Sequence, residues 1–146
     1  MKKSRFFDAY ENKKPLLSYS KYKDSSGVYF IRSKRTGEIV YVGSSGGNLY
    51  KTIYRHFQEW NDRNARGKQF DRTTYAKTGY EICILITRTG TQALRIEKYF
   101  IQKLKPPGNP IKYEQLQLSF ADKQQVEKEY KNADFLPIDE IREAPF

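Results

Sequence analysis

The chain has 146 residues, enough for one ordinary domain with extensions but too few for two independent cores, so a single site is sought. Of its 27 basic and 17 acidic residues, positions 1 to 114 hold 23 and 10, a surplus that makes nucleic acid the leading partner, with a solvated basic surface as the plain alternative. Cys83 is the only cysteine, which excludes disulfides and cysteine-based metal clusters and suits a reducing, cytoplasmic setting; no apolar run is long enough to cross a bilayer, so no membrane partner is expected.

In chain order, residues 1–25 are polar and lysine-rich and read as a basic N-terminal arm, with no apolar leader before Asp8. Gly27-Val28-Tyr29-Phe30-Ile31 and Glu38-Ile39-Val40-Tyr41-Val42 are rich in β-branched and aromatic residues and flank Arg35-Thr36-Gly37, which predicts a hairpin closed by a glycine in the left-handed region. With Lys34 facing Glu38, alternation puts Tyr29, Ile31, Ile39 and Tyr41 on one face, where the two tyrosines are diagonal neighbours. Val28, Phe30, Val40 and Val42 fall on the other, so helices are expected to cover both. Asn48 can cap a helix from Leu49 to about Trp60 with Leu49, Tyr50, Ile53, Phe57 and Trp60 on its apolar stripe. A polar loop follows whose Arg63, Arg66, Lys68, Arg72 and Lys77 are candidate nucleic-acid (phosphate) contacts.

Tyr80 to Ile86 is expected as a third strand. Thr91 can cap a helix from Gln92 to Lys105, stopped by Pro106-Pro107-Gly108. Its apolar stripe is Ala93, Ile96, Phe100, Ile101 and Leu104, and Glu97 falls near the centre of that stripe. An unpaired carboxylate there costs several kcal/mol if buried, so two readings stand: a buried salt bridge, or a bound cation. Ser119 to Asn132 is expected as a polar helix within the acidic C-terminal extension 114–146.

Taken together, Gly27-Val28-Tyr29, Val40-Tyr41-Val42-Gly43, a helix holding Arg55-His56-Phe57, Glu97 ahead of Leu104-Lys105-Pro106, and Asn109 resemble, in that order, the GIY-YIG nuclease family. That family includes phage intron homing endonucleases, the incision domain of a bacterial excision-repair protein and some restriction enzymes. The resemblance spans residues 26–113. It implies an α/β (α+β) domain with a small three-stranded antiparallel sheet flanked by helices. It also implies endonucleolytic hydrolysis of phosphodiesters in DNA with one divalent ion, Mg²⁺ or Mn²⁺, and no small-molecule cofactor. By the same resemblance Glu97 matches the metal ligand, Tyr29 and Tyr41 the two motif tyrosines, His56 a helix position that is His or Tyr, and Asn109 a commonly present asparagine.

One position departs from the family pattern: where an arginine one turn before His56 is usual, this chain has Thr52, leaving Lys51 and Arg55 as the nearest cations. The departure matters because a free tyrosine, with a pKa of about 10, is only about a thousandth ionised near neutrality, and the family mechanism casts Tyr29 as the base. His56, ordinarily near 6.5, competes for that role, and Tyr41 is cast as a positioner of phosphate or water. Two alternatives accompany the DNA endonuclease: a nucleic-acid-binding module of the same fold with weakened catalysis, and an RNA-directed nuclease.

Overall fold

In the computed structural model residues 6–57, 75–109 and 118–131 are described. The elements are β1 (Phe7–Asp8), β2 (Tyr10–Glu11), β3 (Lys14–Pro15), α1 (Tyr19–Tyr22), β4 (Ser26–Ser33), β5 (Ile39–Ser45), α2 (Leu49–Tyr54) running into a 3₁₀ turn (Arg55–Phe57), β6 (Tyr80–Thr87), α3 (Gly90–Leu104) and α4 (Phe120–Lys131).

The main sheet has the order β1-β6-β4-β5, with every pair antiparallel. The three long strands are the expected ones, and β1 adds a short fourth beside β6. The central strand, β4, is buried on both faces by its own composition, since Val28, Tyr29, Phe30 and Ile31 leave no polar side to solvate. On one face Tyr29, Ile31, Ile82 and Ile84 pack with Leu49, Ile53, Tyr54 and Phe57 of the α2 segment. On the other, Val28, Phe30, Val42, Cys83 and Leu85 pack with Ala93, Ile96, Tyr99, Phe100 and Ile101 of α3, and with Val126 of α4. Each fully buried aliphatic or aromatic side chain contributes roughly 1.5–3 kcal/mol, so the two layers together hold the sheet rigid.

Over Tyr29 to Ile31 the β4–β5 hairpin follows the expected register, with Ile31 opposite Tyr41 and Tyr29 opposite Gly43, but at the turn, where Gly37 has φ +74°, Ser33 and not Lys34 faces Glu38. Past Ile31 the register shifts, Arg32 pairing with Ile39, so that Val40 is an extra residue on β5. Its carbonyl accepts instead from Gly108 N at 2.7 Å. The bulge corrects the expected alternation: Val40 packs on the Tyr29 face and Ile39 on the α3 face, the reverse of a regular strand.

Residues 6–22 do not stand away as an arm. Phe6, Phe7, Ala9, Leu17 and Tyr22 are buried, because lysines at 13, 14, 21 and 23 alternate with apolar positions that the charge count alone conceals. The α2 segment tightens to 3₁₀ geometry at Arg55 instead of continuing as α-helix, and Trp60 lies outside the described residues, as do Arg63, Arg66, Lys68 and Arg72.

Helix α3 starts two residues earlier than expected. Thr89, not Thr91, caps it by accepting from Gln92 N at 3.1 Å, while the Gln92 side chain accepts from Arg88 N at 3.0 Å, so Thr89 and Gln92 act as a capping pair. Leu104, expected in the apolar stripe, is 38% exposed; Tyr99 takes its place, and Lys105 ends the helix in a left-handed conformation before the prolines. Helix α4 lies where a polar helix from Ser119 was expected.

Candidate active site

The pleat of the hairpin sets the aromatic half of the site. Tyr29 and Tyr41 stack with ring centroids 6.0 Å apart, and His56 lies against Tyr41 at 4.5 Å. The 3₁₀ winding that ends α2 buries His56 and Phe57 in succession and leaves Arg55 exposed. From there His56 Nε2 sits 2.8 Å from the Tyr29 hydroxyl, in a bond that is buried throughout. The Tyr41 phenol, its ring stacked on Tyr29, extends this chain outward and pushes the Tyr29 pKa up. Tyr41, partly exposed, is the outer member of this chain; Tyr29 and His56 lie behind it.

Burial is the main reason that the Tyr29 phenol titrates well above its ordinary 10.0; the Tyr41 phenol and the Glu97 carboxylate push it the same way, and the Arg55 guanidinium pulls it back. Among the described residues, Arg55 is thus the cation whose charge bears on Tyr29. Lys51, one turn earlier, is exposed and does not figure among the groups that shift Tyr29. Thr52 donates its hydroxyl to the Asn48 carbonyl at 2.9 Å and lies 3.2 Å from Ser45 Oγ, so this position secures the start of α2 and supplies no charge.

Glu97 approaches from the other face of the sheet. Ser44, paired with Val28 on the α3 side, donates its hydroxyl to Glu97 Oε2 at 2.7 Å. Burial raises the Glu97 pKa above 4.5, with the Ser44 bond and the Lys98 charge acting against it. Among the described residues Glu97 forms no salt bridge.

The two halves meet at β5, the edge strand, and at one residue in particular. A Cβ on Gly43 would overlap the Tyr29 phenol, so only glycine lets the ring close over the strand. Gly43 carries no side chain on the face between Tyr41 and Ser45, which leaves phenol and carboxylate within electrostatic reach of each other. Sequence reasoning passed over Gly43 and Ser44, although the predicted register already set Gly43 across from Tyr29.

Asn109 is buried and both ends of its amide are hydrogen-bonded. Its Oδ1 accepts from Val42 N at 2.9 Å and its Nδ2 donates to Val42 O at 2.8 Å, standing in for a further strand on the open edge of β5. It therefore holds the strand that carries Tyr41 and Gly43. Tyr75, also missed, packs beside Tyr41 and His56 at 6.4 Å each, and its backbone N–H bonds to the His56 carbonyl at 2.7 Å. Lys77, a candidate phosphate contact, lies with its Nζ 5.0 Å from the centre of the Tyr10 ring.

A divalent metal suits this donor set. Among the described residues no three His, Cys, Asp or Glu side chains gather, and Glu97 is the carboxylate that would hold the ion. That is the pattern of Mg²⁺, which keeps most of its waters and takes one or two carboxylates together with substrate phosphates. A partly desolvated carboxylate held by the Ser44 hydroxyl, with no salt bridge among the described residues, gains from such a cation.

With this geometry in view, the comparison with known families is direct: the model of the GIY-YIG catalytic domain matches residues 25–113. The chain belongs to the GIY-YIG family, and that segment is a nuclease-type catalytic domain whose substrate is a nucleic acid. No curated protein matches the chain. Among the described residues no helix is long and apolar enough to cross a membrane.

Proposed function

We propose that the protein is a metal-dependent endonuclease that hydrolyses phosphodiester bonds in DNA, in a cytoplasmic setting, with Mg²⁺ or Mn²⁺ held at Glu97. The observation that carries this reading is the stacked Tyr41–Tyr29 pair, hydrogen-bonded to His56, placed across Gly43 from a partly buried carboxylate that has no salt bridge among the described residues. A divalent cation at Glu97 supplies charge neutralisation at the phosphate and at the leaving oxygen.

The side chains divide the remaining work by position. Tyr41, the partly exposed member, receives the attacking water. As the water oxygen bonds to phosphorus, its proton passes to the Tyr41 oxygen, the Tyr41 proton to Tyr29, and the Tyr29 proton to His56 Nε2. The bond from phosphorus to the leaving sugar oxygen breaks, and that oxygen takes a proton from solvent. His56 returns its proton afterwards. This route differs from a free Tyr29 phenolate, which burial makes scarce because it favours the neutral phenol. Arg55 favours whatever negative charge develops on the phenols.

Thr52 supports one competing reading, a binding module of the same fold with weakened catalysis, since its hydroxyl cannot replace a guanidinium. Incubating the protein with supercoiled plasmid and Mg²⁺ separates the two. Nicked and linear products that vanish in EDTA support the endonuclease; salt-sensitive retention of the plasmid with no breaks supports the module. A labelled RNA hairpin in the same buffer, if cut faster than the plasmid, would move the substrate from DNA to RNA.

A further inference from the structure

On the Tyr29 side of the sheet, the segment ahead of the catalytic domain forms a small hairpin of its own, β2–β3, with Tyr10 opposite Pro15 and Glu11 opposite Lys14. Its two-residue loop is Asn12-Lys13, with φ of +51° and +65°. Positive φ at both central residues is the signature of a type I′ turn, in which the second position favours glycine. Here a lysine occupies it, against the steric preference of an L side chain for negative φ.

Everything around that tip is built to hold it still. The Tyr54 hydroxyl donates to the Ala9 carbonyl at 2.7 Å and accepts from Leu17 N at 3.0 Å, clamping both ends of the hairpin to α2. Leu16 N closes the same base on the Ala9 carbonyl at 2.9 Å. Tyr10 packs edge-on against Tyr54 at 5.3 Å and Phe57 at 5.9 Å, and Lys77 covers its ring. Phe57 directly follows His56, so the hairpin rests on the turn that positions the imidazole. Lys13 and Lys14 are both exposed and have no acidic partner among the described residues.

A rigid mount, a strained lysine where glycine would fold more easily, and a second lysine beside it are costly for a merely solvated turn. We propose that the β2–β3 hairpin is a second contact to the phosphate backbone of duplex DNA, made by Lys13 and Lys14 and supported by Lys77. The inference rests on the nucleic-acid reading above and adds the surface that seats the duplex next to the site.

The strain gives a test in which stability and binding move in opposite directions. Lys13→Gly relieves the backbone and removes the charge; its Tm should equal or exceed that of the parent, by up to ~4 °C. Binding of a short fluorescent DNA duplex is then measured in EDTA, so that nothing is cut, across 50 to 200 mM salt. For each lost phosphate contact the slope of log Kd against log salt should fall by about 0.9, which shrinks the rise in Kd over that range by roughly 3.5-fold. Lys14→Gln, at a position without strain, should lower the slope by a similar amount with no change in Tm, and Lys13→Arg should keep the parent slope. If Lys13→Gly and Lys14→Gln both bind with the parent slope, the hairpin is not a DNA contact, whatever the nuclease activity proves to be. Failure of the parent to bind any duplex would instead overturn the nucleic-acid reading and this inference with it.

Discussion

At position 43 a hydrogen stands where any other residue would place a carbon, and the Tyr29 ring fills that space. Gly43→Ala must push the phenol off the strand, so cleavage should fall by ~10²-fold or more, while Gly47→Ala, which meets nothing within 4 Å, should leave the rate unchanged. Plasmid nicking by the two purified variants decides this. The Glu97 carboxylate makes a second residue-scale case, this time about charge. Its folded pKa is raised by burial, so its stabilising contribution is present below the unfolded value and lost as pH rises through the folded one. In metal-free protein near pH 7, Glu97→Gln should therefore raise Tm by ~3 °C, and the gain should disappear in acid below the ordinary 4.5. A lower Tm for Glu97→Gln at neutral pH would mean that the carboxylate already has a counter-ion. The same raised pKa makes protons compete with Mg²⁺ for Glu97 at higher pH than at an exposed glutamate, so Mg²⁺ affinity measured by calorimetry should climb with pH above that ordinary value.

Among the elements, α2 does the most joining. Its Asn48 cap, its buried Leu49 and Ile53, and its 3₁₀ exit fix His56, and its Tyr54 phenol fastens the chain ahead of β4. Tyr54→Phe leaves the Leu17 amide short of its partner and takes one of two bonds from the Ala9 carbonyl, which keeps Leu16 N, and this should cost about 1–3 kcal/mol in urea unfolding while leaving the plasmid-nicking rate within about twofold. Much of this level was legible beforehand. Alternation fixed the hairpin register and the diagonal tyrosine pair, helical spacing marked Glu97 as out of place, and Asn48 was readable as a cap. What escaped the reading did so for local physical reasons. The bulge at Val40 depends on a carbonyl turned toward Gly108, a contact 68 positions distant that no strand pattern encodes. The tightening at Arg55 has no composition signal, because Arg-His-Phe suits α and 3₁₀ turns alike. Thr89 and Thr91 compete as caps, and the side chain of Gln92, reaching back to Arg88, settles the choice. Segment 6–22 hid its buried residues among lysines, and its strand β1 is two residues long, below what periodicity can register.

Across the whole molecule the two faces of one sheet carry the two halves of one site, tyrosines and imidazole on the α2 side and the carboxylate on the α3 side, joined at the edge strand. Asn109 seals the outer edge of that strand, and so ties the end of the catalytic domain to its beginning. The chain's net charge of +10 supplies long-range attraction for a polyanion, which the geometry then has to cut. The most direct measurement of the central claim compares parent and Glu97→Gln proteins, matched for folding and for duplex binding in EDTA, in Mg²⁺-dependent nicking of supercoiled plasmid. Nicking by the parent, abolished by EDTA and reduced at least ~10³-fold by Glu97→Gln with binding retained, is the predicted result. Equal nicking by the two proteins would contradict a metal site at Glu97, and with it this account of the active centre.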